Sequence, residues 1–119
     1  MDNSLVEYSK ALVALEKALR EPKSDIVRDA SIQRFDFCVE LAWKSAKKVM
    51  GTASSAPKSV IREMAQNQLI SDVDFWLKAI DQRNLSSYTY REALAEIVYD
   101  FAKEFLPKAQ DLLLRLQTP

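Results

Sequence analysis

Residues 82–90, QRNLSSYTY, carry the side chains with the most evident chemistry in this chain. A guanidinium (Arg83), an amide (Asn84) and two phenols (Tyr88 and Tyr90) lie together there, between two helical patterns. The start of a helix presents free backbone amides and the positive end of the helix dipole, so basic side chains beside it favour an anion. The stretch therefore predicts a site for a phosphate or another anion, with tyrosine hydroxyls next to it.

The same stretch carries a helix start signal. Thr89 is followed three residues later by Glu92, the spacing of a capping box, in which each side chain satisfies a backbone donor. This spacing predicts Tyr90 at the first helical position. The alternative is that Arg83 pairs with a carboxylate such as Asp81, that the tyrosines pack, and that the stretch is only a connection.

Hydrophobic periodicity predicts helices along the whole chain and no strand. Ser24 is suited to begin one helix, Gly51 to end it in a left-handed cap, and Pro57 to occupy the first turn of the next. Pro107 predicts a bend or a short break in the last helix. The expected helices cover residues 4–20, 24–50, 57–68, 73–82 and 90–116. We expect an all-α, antiparallel, up-down four-helix bundle with short extra helical segments, forming one domain over residues 1–119.

Composition excludes several classes of site. The 17 basic and 17 acidic residues cancel, so no global field attracts nucleic acid. The chain has no histidine, and Cys38 is its only cysteine, so a metal site would need carboxylates alone and no such cluster is evident. We expect no metal and no cofactor. The cysteine usage favours the cytoplasm, and no apolar run approaches the length of a membrane span.

Three stretches resemble the HEPN proteins. Arg83, four residues, Tyr88, one residue and Tyr90 resemble the HEPN motif of arginine, four residues, histidine, one residue and tyrosine, with Asn84 following the arginine. Residues 32–50, IQRFDFCVELAWKSAKKVM, and residues 55–64, SAPKSVIREM, resemble the signature of one HEPN branch, the nucleotidyltransferase substrate-binding proteins. One departure is that Tyr88 occupies the histidine position.

The resemblance implies a function and a set of site residues. It implies a HEPN-like helical core, a homodimer in which the Arg83 stretches face a cleft between protomers, and a separate minimal nucleotidyltransferase as partner, as in toxin–antitoxin relatives. The protein would then be a non-catalytic substrate-binding partner, with a nucleotide or RNA as ligand, and the partner would nucleotidylate Tyr90. The implied binding residues are Arg83, Asn84, Tyr88 and Tyr90, together with Glu40, Trp43 and Lys44 of ELAWK.

The alternative function is a metal-independent ribonuclease of the HEPN type. Arg83 would stabilise charge on the phosphate of RNA, and Tyr88 would have to replace the histidine. A free tyrosine has a pKa of about 10, against about 6.5 for histidine, so it is a poor general base at neutral pH. The binding role is therefore the preferred prediction.

Overall fold

The chain folds into α-helices, as the periodicity predicts. The computed structural model describes residues 3–118, which contain five α-helices, one short 3-10 turn and no strand. None of these helices combines the length and the apolar character that crossing a bilayer requires. The helices are α1 (Asn3–Arg20), α2 (Asp25–Met50), α3 (Pro57–Gln66), α4 (Val73–Leu85) and α5 (Glu92–Gln117), and the 3-10 turn is Ser86–Tyr88.

Several helix ends follow the local sequence signals. The Ser24 hydroxyl accepts a hydrogen bond from the Val27 amide at 3.1 Å, and Gly51 ends α2 with a φ of 68°. A residue with a side chain would be strained at that φ, which explains the glycine. Pro57 lies in the first turn of α3, where its missing N–H costs nothing.

Other helix ends differ from the prediction. Helix α3 stops at Gln66, two residues early, because Gln68 takes a φ of 62° and the Leu69 amide bonds back to the Met64 carbonyl. Helix α4 continues to Leu85, beyond its expected end at residue 82. Helix α5 passes through Pro107 without a break.

The core is built on the contact between α2 and α5. The Phe35 ring of α2 meets Phe101 and Phe105 of α5 edge to face, with centroids 5.8 and 5.1 Å apart. From the other side, α4 adds Trp76, whose ring centroid lies 5.3 Å from that of Phe105, and Phe75, which stacks on Phe101 at 4.8 Å. Helix α1 packs on the opposite side of the α2–α5 pair and does not contact α4.

The longer helices alternate in direction. At the far end of α2, the Ser45 hydroxyl donates to the Ser4 carbonyl at the start of α1, so these helices are antiparallel. Asp72 at the start of α4 pairs with Lys108, late in α5, so these two are antiparallel as well. Tyr8, near the start of α1, donates a hydrogen bond to the carbonyl of Ala109, late in α5, so α1 is antiparallel to α5 as well as to α2, and α2 and α5 run in the same direction. The short α3 lies beside α2 and α4.

An ion-pair network joins the starts of α2 and α5. The side chain of Arg28 is only 5% exposed, and it donates hydrogen bonds to Glu92 at 2.6 Å and to Glu96 at 3.2 Å. Lys23 donates a further hydrogen bond to Glu96. A buried guanidinium needs such partners, because an unpaired buried charge is strongly destabilising. The expected capping box is therefore wrong: Glu92 pairs with Arg28 and not with the start of its own helix.

This network predicts acid-sensitive stability. The hydrogen bonds from Lys23 and Arg28 hold the pKa of Glu96 below its ordinary value of 4.5. A carboxylate with a depressed folded-state pKa stabilises the fold above its unfolded-state pKa, and that contribution is lost as the pH falls through the folded-state value. We expect the melting temperature to fall below about pH 4.5. Glu96→Gln should be less stable than wild type at pH 7, and the difference should disappear as the pH falls through the folded-state pKa of Glu96.

Glu104→Gln is the matched control, because Glu104 lies on the same helix, is exposed and forms no ion pair within residues 3–118. Its melting curve should follow wild type over the same pH range. A Glu96→Gln variant with an unchanged pH profile would contradict the assignment.

Candidate functional site

Arg83 lies in the last turn of α4 and not in a connecting turn, because α4 is longer than its sequence pattern indicates. Its Nε is 2.7 Å from Oδ1 of Asp36 and 3.1 Å from Oε1 of Glu40. These two carboxylates are four residues apart and so share one face of α2. The alternative interpretation predicts that Arg83 pairs with a carboxylate, and it does. The suggested partner, Asp81, is wrong, because Asp81 pairs with Lys58 at 2.7 Å.

The Arg83 cluster is held by charge and not by aligned hydrogen bonds. Arg83 Nε and Asp36 Oδ1 are both buried, yet neither has a hydrogen-bond partner within residues 3–118, because the N–H is not directed at the nearby oxygen. The side chain of Arg83 is 35% exposed and that of Asp36 is 29% exposed. Partly exposed ion pairs contribute at most about 1 kcal/mol to stability. The guanidinium can therefore change partner at little cost, and its fork of N–H groups matches phosphate and carboxylate groups.

Glu40 connects the ELAWK residues to Arg83. Its Oε2 lies 3.3 Å from Nζ of Lys44, and its Oε1 accepts a hydrogen bond of 3.4 Å from Nε1 of Trp43. The Trp43 side chain is buried, its indole N–H points at Glu40, and Nζ of Lys44 lies over its ring, 5.7 Å from the centroid. The structure thus brings Glu40, Trp43 and Lys44 to Arg83, although these residues lie about forty positions away in sequence.

The two tyrosines lie outside this cluster and are exposed. Tyr88 ends the 3-10 turn and is 53% exposed, and Tyr90 precedes α5 and is 81% exposed. Tyr90 is not helical, because α5 begins only at Glu92. The Thr89 hydroxyl does not cap α5, because it donates to the Ser86 carbonyl at 2.9 Å. Neither phenol hydroxyl bonds a described residue, so both are open to another molecule.

Ser86 fastens the tyrosine segment to the Arg83 cluster. Its hydroxyl donates to the Arg83 carbonyl at 2.7 Å and lies 3.4 Å from Oδ2 of Asp36. Its carbonyl accepts the hydrogen bond from Thr89. The segment carrying Tyr90 therefore has a defined attachment to the end of α4.

A pocket of about 300 Å³ opens beside Arg83. Three separate segments form it: α2, the start of α3 and the end of α4. A larger groove of about 480 Å³ lies between α1 and α2, but none of the predicted site residues lines it. The pocket beside Arg83 is lined by Glu40, Ala56, Pro57, Lys58, Ile80, Arg83 and Asn84.

Sequence reasoning missed Asp36 and Lys58. Asp36 carried a usable signal, because it lies four residues before Glu40 and therefore on the same face of α2. Lys58 lies inside SAPKSVIREM, the second stretch that resembles the family signature. Its position at the pocket, by contrast, results from the way α3 folds back beside α4.

The described residues are not arranged for metal binding or for catalysis by a cysteine nucleophile. Within residues 3–118, no group of three or more histidine, cysteine, aspartate or glutamate side chains is placed to hold a metal ion. Burial raises the pKa of the Cys38 thiol to about 12, so the thiol stays protonated at neutral pH and is not a nucleophile.

Comparison with known proteins agrees with the fold and with the sequence resemblance. The family described as "Nucleotidyltransferase substrate binding protein like" matches residues 3–118. A Haemophilus influenzae protein named "Probable ribonuclease HepT" is 30% identical over 101 residues, covering 78% of this chain and 69% of the relative.

Two solved structures share the fold. A Thermus thermophilus protein aligns with a TM-score of 0.86 and 30% identity, over 92% of this chain and 98% of the other. HI0074 of Haemophilus influenzae, described as the substrate binding domain of a nucleotidyltransferase, aligns with a TM-score of 0.84 and 27% identity, over 96% of this chain and 99% of the other. The protein therefore belongs to the nucleotidyltransferase substrate binding protein family, whose helical fold it shares.

Proposed function

We propose that this protein is a non-catalytic, cytoplasmic substrate-binding partner of a separate minimal nucleotidyltransferase. The observation that carries the proposal is the Arg83 guanidinium, which lies beside an open pocket with its N–H groups unmatched to the carboxylates that surround it. The site thus has a group suited to a phosphate and space beside it. The metal-binding carboxylates and the transfer chemistry belong to the partner.

We further propose that the partner nucleotidylates Tyr90. This phenol is 81% exposed, is flanked by Arg91, and is fastened to the Arg83 cluster through Ser86. In the reaction, the Tyr90 oxygen attacks the α-phosphorus of a nucleoside triphosphate held by the partner. A phosphoester bond forms, the bond to pyrophosphate breaks, and the phenol proton passes to a base of the partner. Arg91 and Arg83 would offset the negative charge of the adduct.

Intact mass measures this modification directly. We expect incubation with a minimal nucleotidyltransferase from the same genome, together with Mg²⁺ and ATP, to add the mass of one AMP. Tyr90→Phe should remain unlabelled, and Tyr88→Phe, a matched loss of a neighbouring exposed phenol, should be labelled like wild type. If Tyr90→Phe is labelled to the same extent as wild type, Tyr90 is not the residue that accepts AMP. Failure of the two proteins to co-elute in size-exclusion chromatography would refute the partnership itself.

The outer face of α2 supports the proposed homodimer. Ile26 is 82% exposed and Phe37 is 51% exposed, and the half-buried Leu41 follows Phe37 by four residues on the same side of the helix. An exposed Phe37 beside a half-buried Leu41 is typical of an interaction surface, and Ile26 lies eleven residues, or roughly 16 Å, nearer the start of the helix. Phe37 directly follows Asp36 in the chain, so a second copy packed on this face would lie next to the Arg83 cluster.

Charge introduced at this face should separate the protomers. We expect wild type to sediment as a dimer and Phe37→Glu as a monomer, because the dimer would have to bury an unpaired carboxylate. Leu114→Glu is the control, since Leu114 is 63% exposed on a different helix, and this variant should remain dimeric. A monomeric wild type, or a dimeric Phe37→Glu, would rule out this interface.

The Haemophilus relative named as a probable ribonuclease supports a second candidate function. Arg83 is placed to stabilise charge on an RNA phosphate, but the chain has no histidine, and Tyr88 forms no hydrogen bond within residues 3–118 that would activate its phenol. We expect purified protein to leave single-stranded RNA intact in EDTA. Cleavage by wild type that is lost in Arg83→Ala would establish the ribonuclease. Equal cleavage by both would identify a contaminant.

A further inference from the structure

The pocket beside Arg83 has apolar walls and one polar side. Ile80 is 6% exposed and forms part of the lining, together with Ala56 and Pro57 at the start of α3. Arg83 and Asn84 bring polar groups from the end of α4. The volume of about 300 Å³ is at the lower end of the range of about 300–1,000 Å³ found for small-molecule sites. A flat ring with one polar edge fits such a space.

Charge alone does not favour a free anion here. The charged side chains in and around the pocket have a net charge of zero. They are three cations, Arg83, Lys44 and Lys58, and three carboxylates, Asp36, Glu40 and Asp81. A phosphate by itself would have to displace Arg83 from its carboxylates without any net attraction. A ligand that also buries an apolar ring gains the additional free energy from the pocket walls. The geometry therefore favours a phosphate joined to a heterocycle over a phosphate alone.

The polar edge favours an amino-bearing base. The Glu40 carboxylate can only accept hydrogen bonds, and it has about four lone-pair positions. Three of them face Arg83, Trp43 and Lys44, which leaves room for one more donor. The exposed Asn84 amide bonds no residue among 3–118, and an asparagine amide pairs with the amino group and ring nitrogen of adenine. A carbonyl in place of the amino group would face the carboxylate and be repelled.

From these contacts we propose that the pocket binds the base of an adenine nucleotide, between the start of α3 and the end of α4, with the phosphate held by Arg83. Glu40 and Asn84 select the amino-bearing base, and the apolar walls supply affinity. This inference rests on the proposed function, because it names the substrate class of that site.

Calorimetric titration with AMP, IMP and adenosine tests the assignment. AMP should bind at least about tenfold more tightly than IMP, because one hydrogen bond is replaced by a repulsion. Wild type should also bind AMP more tightly than adenosine. The Arg83→Gln variant should bind AMP and adenosine with similar affinity. Comparable affinities of wild type for AMP and IMP, or no binding of AMP, would overturn the proposal.

A pocket-filling variant provides the matched test. Ala56 is exposed, precedes α3 in an extended conformation and makes no side-chain capping bond, so Ala56→Leu should fold normally and narrow the pocket. We expect it to weaken AMP binding by about tenfold or more. Ser55→Leu adds the same side chain one residue earlier, outside the lining, and should bind like wild type. Unchanged AMP binding in Ala56→Leu would refute this site.

The two proposals can fail separately. Co-elution with the nucleotidyltransferase is measured on the same Ala56→Leu and wild-type samples. A partner complex without AMP binding refutes the base pocket and leaves the proposed function standing. If no complex with the partner forms, the proposed function is refuted, whether or not AMP binds.

Discussion

The packing of α2 against α5 is the constraint on which the rest of the structure depends. Phe35, Phe101 and Phe105 form its centre, and α1 and α4 pack on opposite sides of the pair. Truncating one such buried aromatic side chain costs about 3–5 kcal/mol, a large part of the roughly 5–15 kcal/mol that stabilises a typical domain. This contact also sets the rotation of α2. Once Phe35 faces α5, Asp36 and Glu40 must face α4, and Phe37 must face solvent.

Two arginines differ in how far they are buried and in how fully their hydrogen bonds are satisfied. Arg28 is 5% exposed and donates hydrogen bonds to carboxylates of both α2 and α5, which compensate the buried charge of its guanidinium. Arg83 is 35% exposed, and no described residue accepts a hydrogen bond from its guanidinium, although two carboxylates lie close to it. The same pair of chemical groups therefore joins two helices where the arginine is buried and hydrogen-bonded, and leaves a guanidinium without a described hydrogen-bond acceptor where the arginine is partly exposed.

The outer side of α2 links the proposed site to the proposed dimer. The cluster of Asp36 and Glu40 occupies one face of the helix, and the exposed Phe37 and half-buried Leu41 occupy the next. The core contacts and the charged cluster occupy two faces of α2, and the proposed second copy would cover the third, which would account for an apolar pattern wider than a single core contact requires. This arrangement would place the substrate, Arg83 and the protomer boundary close together.

The sequence by itself determined the all-α class, the approximate helices, and the ends marked by Ser24, Gly51 and Pro57, because these depend on periodicity and on groups within one helical turn. It also indicated Arg83, Glu40 and the exposed phenols. Only the tertiary structure decided which of these meet. Asp36 and Arg83 are separated by the rest of α2, all of α3, most of α4 and the two loops between these helices, and Glu92 pairs with Arg28 although a capping box was available in its own segment. Local patterns describe what a backbone segment can do alone, whereas the partner of a charged side chain is chosen by the packing of helices distant in sequence.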